Sequence, residues 1–373
     1  MQEIYGYCER TGLLEKLEWL KLHIMCKGIR IDDRARGKII KDLGRLSLFE
    51  YATTSGLALK LEGGIFVNAN FAEHYCRDSD LELFLRNGDF ILGSCEGEWR
   101  VEIMPHPGYL NMRSSAGNPI TDLVMTHNDR VRISPVQGCA NRCKFCDLGY
   151  RKRYRVFPYE ELLEAAEMAL RDKRLQPRHV LVSGGHPHTS DISMLDDIYI
   201  RLARAISQPM DIMMLPRKDC SVLEGLKEAG VDGLAVNLEI YDRRRAKSLM
   251  PQKAELGLET YCSFLSRAVE LFGRGKVRSL IILGLEDYET AIKGVELIAS
   301  LGADPVLSLF KPAVYTPLER WDPPSEEAVI YIYEASKEIA RRYEVALGPR
   351  CVPCQHNAVS FPYSEDYYEW SKC

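Results

Sequence analysis

Between residues 129 and 345, short apolar runs alternate with stretches whose apolar residues recur at helical spacing. The runs fall at 129–135, 179–183, 211–215, 233–239, 277–283 and 305–310. After the first of them, Leu162, Leu163, Ala166, Ala169 and Leu170 sit at i, i+1, i+4, i+7 and i+8, one face of a helix that opens near Pro158. Further helices are predicted over 287–301, closed by Gly302, and over 325–342, opened by Pro323-Pro324-Ser325. Strands that are nearly continuously apolar, each followed by a helix, imply a parallel sheet buried on both faces. Six such units are too few to close an eight-stranded barrel. The expected fold is therefore α/β, a partial (β/α)6 barrel over about 126–345.

The remaining chain has a different texture. Residues 1–125 carry two helical patterns (11–26 and 32–47), β-like pieces such as 63–68, and a Pro/Gly/Asn-rich stretch over 105–119. They are expected to form an α+β accessory domain with a linker. Residues 346–373 form a short tail containing cysteine. No internal repeat or low-complexity tract appears.

Composition narrows the field a little. A hydrophobic fraction of 46% and a charged fraction of 27% are ordinary for a soluble globular chain. The net charge of −4 offers no broad phosphate-binding surface, which argues against nucleic acid as a partner. The first residues lack a basic stretch followed by an apolar one, and no run approaches the roughly 18 apolar residues of a membrane span. A cytoplasmic protein with no membrane partner is expected. Twelve cysteines in that reducing setting are not disulfides in waiting. Cys26, Cys76, Cys95, Cys220 and Cys262 stand isolated and read as buried apolar residues. Two groups do not: 139/143/146, and 351/354 with the terminal Cys373.

The first group lies in Gly138-Cys139-Ala-Asn-Arg-Cys143-Lys-Phe145-Cys146, immediately after the first predicted barrel strand. Three thiolates can hold three irons of a cubane and leave the fourth open. The carboxyl end of the strands is where a β/α barrel does its chemistry. Zinc would ask for a fourth ligand, and none pairs with this loop locally.

This loop resembles the signature of the radical S-adenosylmethionine (radical SAM) superfamily, including the aromatic Phe145 before the third cysteine. The resemblance covers about 129–345. It implies that Cys139, Cys143 and Cys146 carry a catalytic [4Fe-4S] cluster and that S-adenosylmethionine binds its open iron. One electron then breaks the S–C5′ bond, and the resulting 5′-deoxyadenosyl radical takes a hydrogen atom from an unactivated carbon. Ser183-Gly184-Gly185-His186-Pro187 stands where the superfamily has a Gly-Gly-Glu-Pro type turn, whose backbone receives the amino group of the cofactor. His186 departs from the usual acidic residue; it is either a cofactor contact or a turn residue facing solvent. Asn237-Leu238-Glu239 resembles a segment of lipoyl and biotin synthases in which the acidic residue lies near the cofactor's ribose or amino group. Ser279 and Gly284-Leu285-Glu286 resemble a second segment of those enzymes. On this basis Phe145, Ser183, Gly184, Gly185, Asn237, Glu239, Ser279 and Glu286 are cofactor-binding candidates. Glu239 has a plainer alternative as a salt-bridge partner at the barrel end.

The second group, Arg350-Cys351-Val-Pro-Cys354-Gln-His356, has the C-x-x-C spacing of metal sites. Three occupations compete: an auxiliary [4Fe-4S] cluster on Cys351, Cys354 and Cys373 (or Cys8), a redox dithiol, or zinc with His356. An incompletely ligated auxiliary cluster, together with the resemblance of 237–239 and 277–286, points to a sulfurtransferase of the lipoyl or biotin synthase type, and within it to the two-component archaeal lipoyl synthases. The alternative is a radical SAM dehydrogenase, epimerase or peptide-modifying enzyme. Either reading implies a small-molecule or carrier-protein-bound substrate and an electron donor such as ferredoxin or flavodoxin.

Overall fold

The computed structural model describes residues 14–47 and 56–361. Six parallel strands form the barrel: β1 (Arg130–Ile133), β2 (His179–Val182), β3 (Met210–Met213), β4 (Gly233–Ala235), β5 (Val277–Leu283) and β6 (Asp304–Leu309). They pair in sequence order, so the sheet reads β6-β5-β4-β3-β2-β1 and curls into an open half-barrel. A seventh strand, Val124–His127, adds antiparallel to β1 and extends the sheet past the expected start of the barrel at 126. Helices Tyr159–Leu170, Ile192–Ala205, Leu258–Phe272, Tyr288–Ser300 and Glu326–Tyr343 cover the outer face. Ser325 opens the last helix as expected, accepting from Ala328 N, and Gly302, expected to close the helix before it, follows that helix at φ +79°; Asp287, which was not foreseen as a cap, accepts from Thr290 N.

The expectation of strands buried equally on both faces needs amendment at β5. Val277, Ser279, Ile281 and Leu283 are buried, while Arg278, Leu280 and Ile282 alternate with them and are partly exposed. The first set faces the helices. Two of the second, Leu280 and Ile282, line the hollow of the half-barrel. An incomplete barrel leaves its concave face unfilled, and period-2 alternation follows.

Residues before 124 hold more β-structure than expected. Helices Lys16–Lys27 and Asp33–Leu43 match the two helical patterns, and a six-stranded sheet stands beside them. Its hairpin Glu82–Arg86 to Asp89–Ser94 turns at Asn87-Gly88, both at positive φ, the hairpin signal of a two-residue Asn-Gly loop. Of the isolated cysteines, Cys26 and Cys76 are buried and Cys220 and Cys262 half-buried, but Cys95, expected to be buried, is exposed in the turn between Asp89–Ser94 and Gly97–Ile103. Cys8 and Cys373 lie outside the described residues.

One apolar core runs from Trp19 through the barrel helices to Phe361. Helix Lys16–Lys27 lies inside it, with everything from Trp19 to Cys26 buried. Two polar residues on this helix explain how it tolerates that. His23 is bonded through Nδ1 to Glu326 and through Nε2 to Asp80, each at 2.8 Å. The Lys21 ammonium donates to the carbonyls of Gln355 (2.9 Å) and Ser360 (2.7 Å) and lies 5.3 Å from the Phe361 ring. The amino-terminal part of the chain is thereby fastened to the tail.

Burial pushes the Lys21 pKa down from 10.5 to about 7. The folded protein thus releases this proton near pH 7, while the unfolded chain keeps it to about pH 10. Where the unfolded state binds more protons, stability rises with pH. Urea unfolding midpoints should therefore show wild type gaining on Lys21→Met as pH rises from about 7 to 10. A pH-independent difference would mean that the ammonium stays charged among its carbonyls.

Candidate active site

The three cysteines of 139–146 line one cavity of about 270 Å³ at the carboxyl end of the strands. The loop that carries them is built from close backbone approaches. Gly138 has φ +68°, and a Cβ there would stand 2.7 Å from Lys152 O. A Cβ on Gly185 would stand 1.6 Å from Gly138 O, so the turn after β2 is seated directly against the cysteine loop. Ala140 N donates to His186 O (2.9 Å), and the N–H groups of His186 (3.1 Å) and Asn141 (3.3 Å) donate to Cys139 Sγ. Lys144 N donates to Leu249 O at 2.7 Å, tying the far side of the loop to the helix after β4. Cys143 and Phe145 are buried in a small apolar cluster with Ile240, Leu249, Met250 and Phe310, separate from the main core.

This donor set fits an iron–sulfur cluster. Three thiols converge on one cavity, and backbone N–H groups already point at the Cys139 sulfur, as they do at cluster thiolates. Burial pushes the Cys143 thiol up to about 12 and the Cys146 thiol higher still. A bound cationic metal centre is what would hold both as thiolates.

The structure brings Cys139, Cys143, Phe145, Cys146, Gly184, Gly185, Asn237 and Glu239 to the same cavity wall. His186 lines it too, rather than facing solvent. Glu239 has φ +65°, an unusual conformation for a residue with a side chain, fixed by Glu239 N to Leu280 O (2.7 Å) and Ile282 N to Glu239 O (2.9 Å). Its carboxylate accepts from Lys253 Nζ at 2.7 and 2.8 Å, so the salt bridge and the cavity position coexist. Ser183, Ser279 and Glu286 are not on the wall. Ser183 is buried behind the turn, where its N–H bonds Ile133 O. Ser279 Oγ accepts from Leu238 N at 3.0 Å, and the Glu286 carboxylate accepts from Tyr241 N (2.9 Å) and Asp242 N (2.7 Å). The last two hold the 237–242 segment from outside.

Several lining residues were not foreseen. Arg217 and Lys311 follow the ends of β3 and β6, and that position at the carboxyl end of a barrel strand was the available signal. Arg217 is held by Asp196 (2.6 and 2.7 Å), and Lys311 donates to Asn68 O and Asn70 Oδ1, which brings the amino-terminal sheet to the rim. Lys253 gave no signal: it lies in the short helix Pro251–Ala254, with helix Arg243–Leu249 between it and Glu239.

The tail cysteines are elsewhere. Cys351 and Cys354 lie under the amino ends of β1 and β2, grouped with Asp129 and His179. The four residues of β1 between that base and the cysteine loop span about 13 Å. His356, expected as a zinc partner for them, instead donates from Nδ1 to Pro353 O at 2.9 Å and faces the His127 ring.

Residues 133–298 match the radical SAM superfamily. They form a radical SAM domain. A bacteriochlorophyllide c C-7(1)-hydroxylase of Chlorobaculum limnaeum is 23% identical over 258 residues, which cover 61% of this chain and 63% of that protein, less than two thirds of its length. Among solved structures, methylornithine synthase is similar with 18% identity and a TM-score of 0.48 over 64% of this chain and 74% of that one. A radical SAM methyltransferase from Sphaerobacter thermophilus is similar with 16% identity and a TM-score of 0.47, covering 75% and 81%. No helix among the described residues is long and apolar enough to cross a membrane.

Gly185→Ala tests the seating of the two loops. The added Cβ has only backbone to displace, so the variant should lose most of its bound iron after reconstitution while its circular dichroism stays native. Full iron loading would mean that the loop closes without this contact.

Proposed function

We propose that this chain is a radical SAM enzyme that removes a hydrogen atom from an unactivated carbon of a largely apolar substrate. The carbon radical would then give up one further electron, for which the oxidised [4Fe-4S] cluster is the acceptor, and either lose a proton (dehydrogenation) or take its oxygen from water with loss of a proton (hydroxylation). The observation that carries the reading is the convergence of Cys139, Cys143 and Cys146 on one cavity walled by Leu195, Tyr199, Met213, Met214 and Leu309. When bound, the cluster with S-adenosylmethionine supplies the electron that breaks the S–C5′ bond and yields a 5′-deoxyadenosyl radical. The protein's task is then to position and to keep dry. Cys139, Cys143 and Cys146 would hold three irons of the cluster. Gly184 and Gly185 let the backbone come close to the cofactor. Asn237 and Glu239 offer acceptors to ribose hydroxyls or an ammonium, with Lys253 fixing the carboxylate. A ferredoxin or flavodoxin is the fitting electron donor, and the substrate is a small molecule, free or on a carrier protein.

Sulfur insertion of the lipoyl or biotin synthase kind has less support. Ser279 and Glu286, two residues of that resemblance, bond backbone outside the cavity. Cys351 and Cys354 also stand at the opposite end of β1 and β2 from Cys139, Cys143 and Cys146, so a sulfide given up there would have to travel the length of those strands to reach the cavity. The hydroxylase relative is in keeping with oxidation at carbon.

Reduced protein should cleave S-adenosylmethionine to 5′-deoxyadenosine and methionine, and Cys143→Ala should abolish this. Formation of S-adenosylhomocysteine alone would sink the assignment. Protein reconstituted with ³⁴S-sulfide and incubated with a metabolite extract should pass no label to small molecules; a labelled product would restore the sulfur-inserting reading. Separately, Glu239→Ala should weaken S-adenosylmethionine binding by about 1.5–3 kcal/mol, the scale for a hydrogen bond to a charged group, as read by equilibrium binding.

A further inference from the structure

At the base of the barrel, opposite the cavity, Asp129, His179, Cys351 and Cys354 each offer one ligand atom, and the four atoms lie within 4.8 Å of one another. The chain brings them from three places. Asp129 precedes β1, His179 opens β2 beside it in register with Arg130, and the two cysteines come from the tail. His179 Nε2 is 3.2 Å from Cys354 Sγ, and Cys351 Sγ is 3.7 Å from Asp129 Oδ1. Both cysteines are buried.

The geometry points to a structural zinc site on Cys351, Cys354, His179 and Asp129, which locks the tail to the first two barrel strands. Two sulfurs, one imidazole nitrogen and one carboxylate oxygen make a closed four-ligand set of the kind zinc takes. Bond lengths of 2.0–2.3 Å put tetrahedral ligand atoms about 3.6 Å apart, so small movements suffice to close the group on one ion. A cubane is a poor fit, because its iron corners hold outer ligands farther apart than these four atoms stand, and only two of the four grouped side chains are thiols. An outer partner is in place as well: Arg178 donates twice to Asp129 Oδ2, at 2.9 and 2.7 Å, leaving Oδ1 towards Cys351.

The fold gives such an ion something to do. The half-barrel is open between β6 and the strand beside β1. The tail crosses that base: Gly348 pairs with Val306 of β6, and three residues later Cys351 reaches Asp129. Asn128 also donates to Pro353 O at 2.7 Å. A metal bond here fixes the chord across an open arc.

The test uses the full chain with Cys139, Cys143 and Cys146 changed to Ala, which removes the catalytic cluster's ligands. Elemental analysis should find about one zinc per chain, falling at least about tenfold in Cys354→Ser and His179→Gln. Cobalt replacement should give thiolate-to-metal absorption and tetrahedral ligand-field bands that Cys354→Ser removes. If those variants fail to fold, X-ray absorption at the zinc edge of the parent chain decides, with two sulfurs at about 2.3 Å and two lighter ligands at about 2.0–2.1 Å expected. Iron with acid-labile sulfide in place of zinc, a metal-free chain with a Cys351–Cys354 disulfide, or zinc indifferent to His179→Gln would each overturn the assignment.

Discussion

Gly138 and Gly185 approach so closely that any side chain at 185 would overlap the carbonyl of 138. That contact joins the loop after β1 to the turn after β2, and the rest of the mouth is built outward from it. His186, next in line, bonds the cysteine loop through both its backbone groups, to Ala140 and to the Cys139 sulfur. The third and fourth strands then bring Met213, Asn237 and Glu239 round the same hollow. Two glycines thus set how closely the loop after β1 and the turn after β2 can approach at the mouth.

The mouth is also held from behind. Ser279 and Glu286 act on the backbone of 237–242, and Lys253 holds Glu239. A residue at positive φ such as Glu239 is sustained only when its surroundings over-determine it, and here four hydrogen bonds do so. On the other side, Lys311 bonds Asn68 and Asn70, so the amino-terminal sheet is part of the rim. Together with Lys21 and His23 inside the shared core, that makes the accessory segment a wall of the barrel rather than an appendage.

Much of this was legible in the sequence because it rests on local signals. Six apolar runs separated by helical patterns gave the strands, and cysteines with three and then two residues between them gave the loop at the mouth. Asn87-Gly88 marked a hairpin that was passed over. What lay out of reach depends on contacts distant along the chain. Nothing near Cys351 announces His179, because the pairing arises from the curl of the sheet and the path of the tail beneath it. The same limit applies to Lys253 and Glu239. Ser279 was placed in the right neighbourhood but on the wrong face, since β5 alternates between helices and hollow and a one-residue difference decides which side a group serves.

Strands β1 and β2 are each four residues long, with Asp129 and His179 at one end and the cysteine loop and glycine turn at the other. Short parallel strands leave no slack to absorb an insertion. A single added residue in either would leave its lower group and its upper loop out of register with one another, so that seating one in place displaces the other. The two ends are inherited as one part. Any chimera that borrows the mouth of this barrel must also carry residues 129 and 179, or it will transplant a loop without the footing that sets its height.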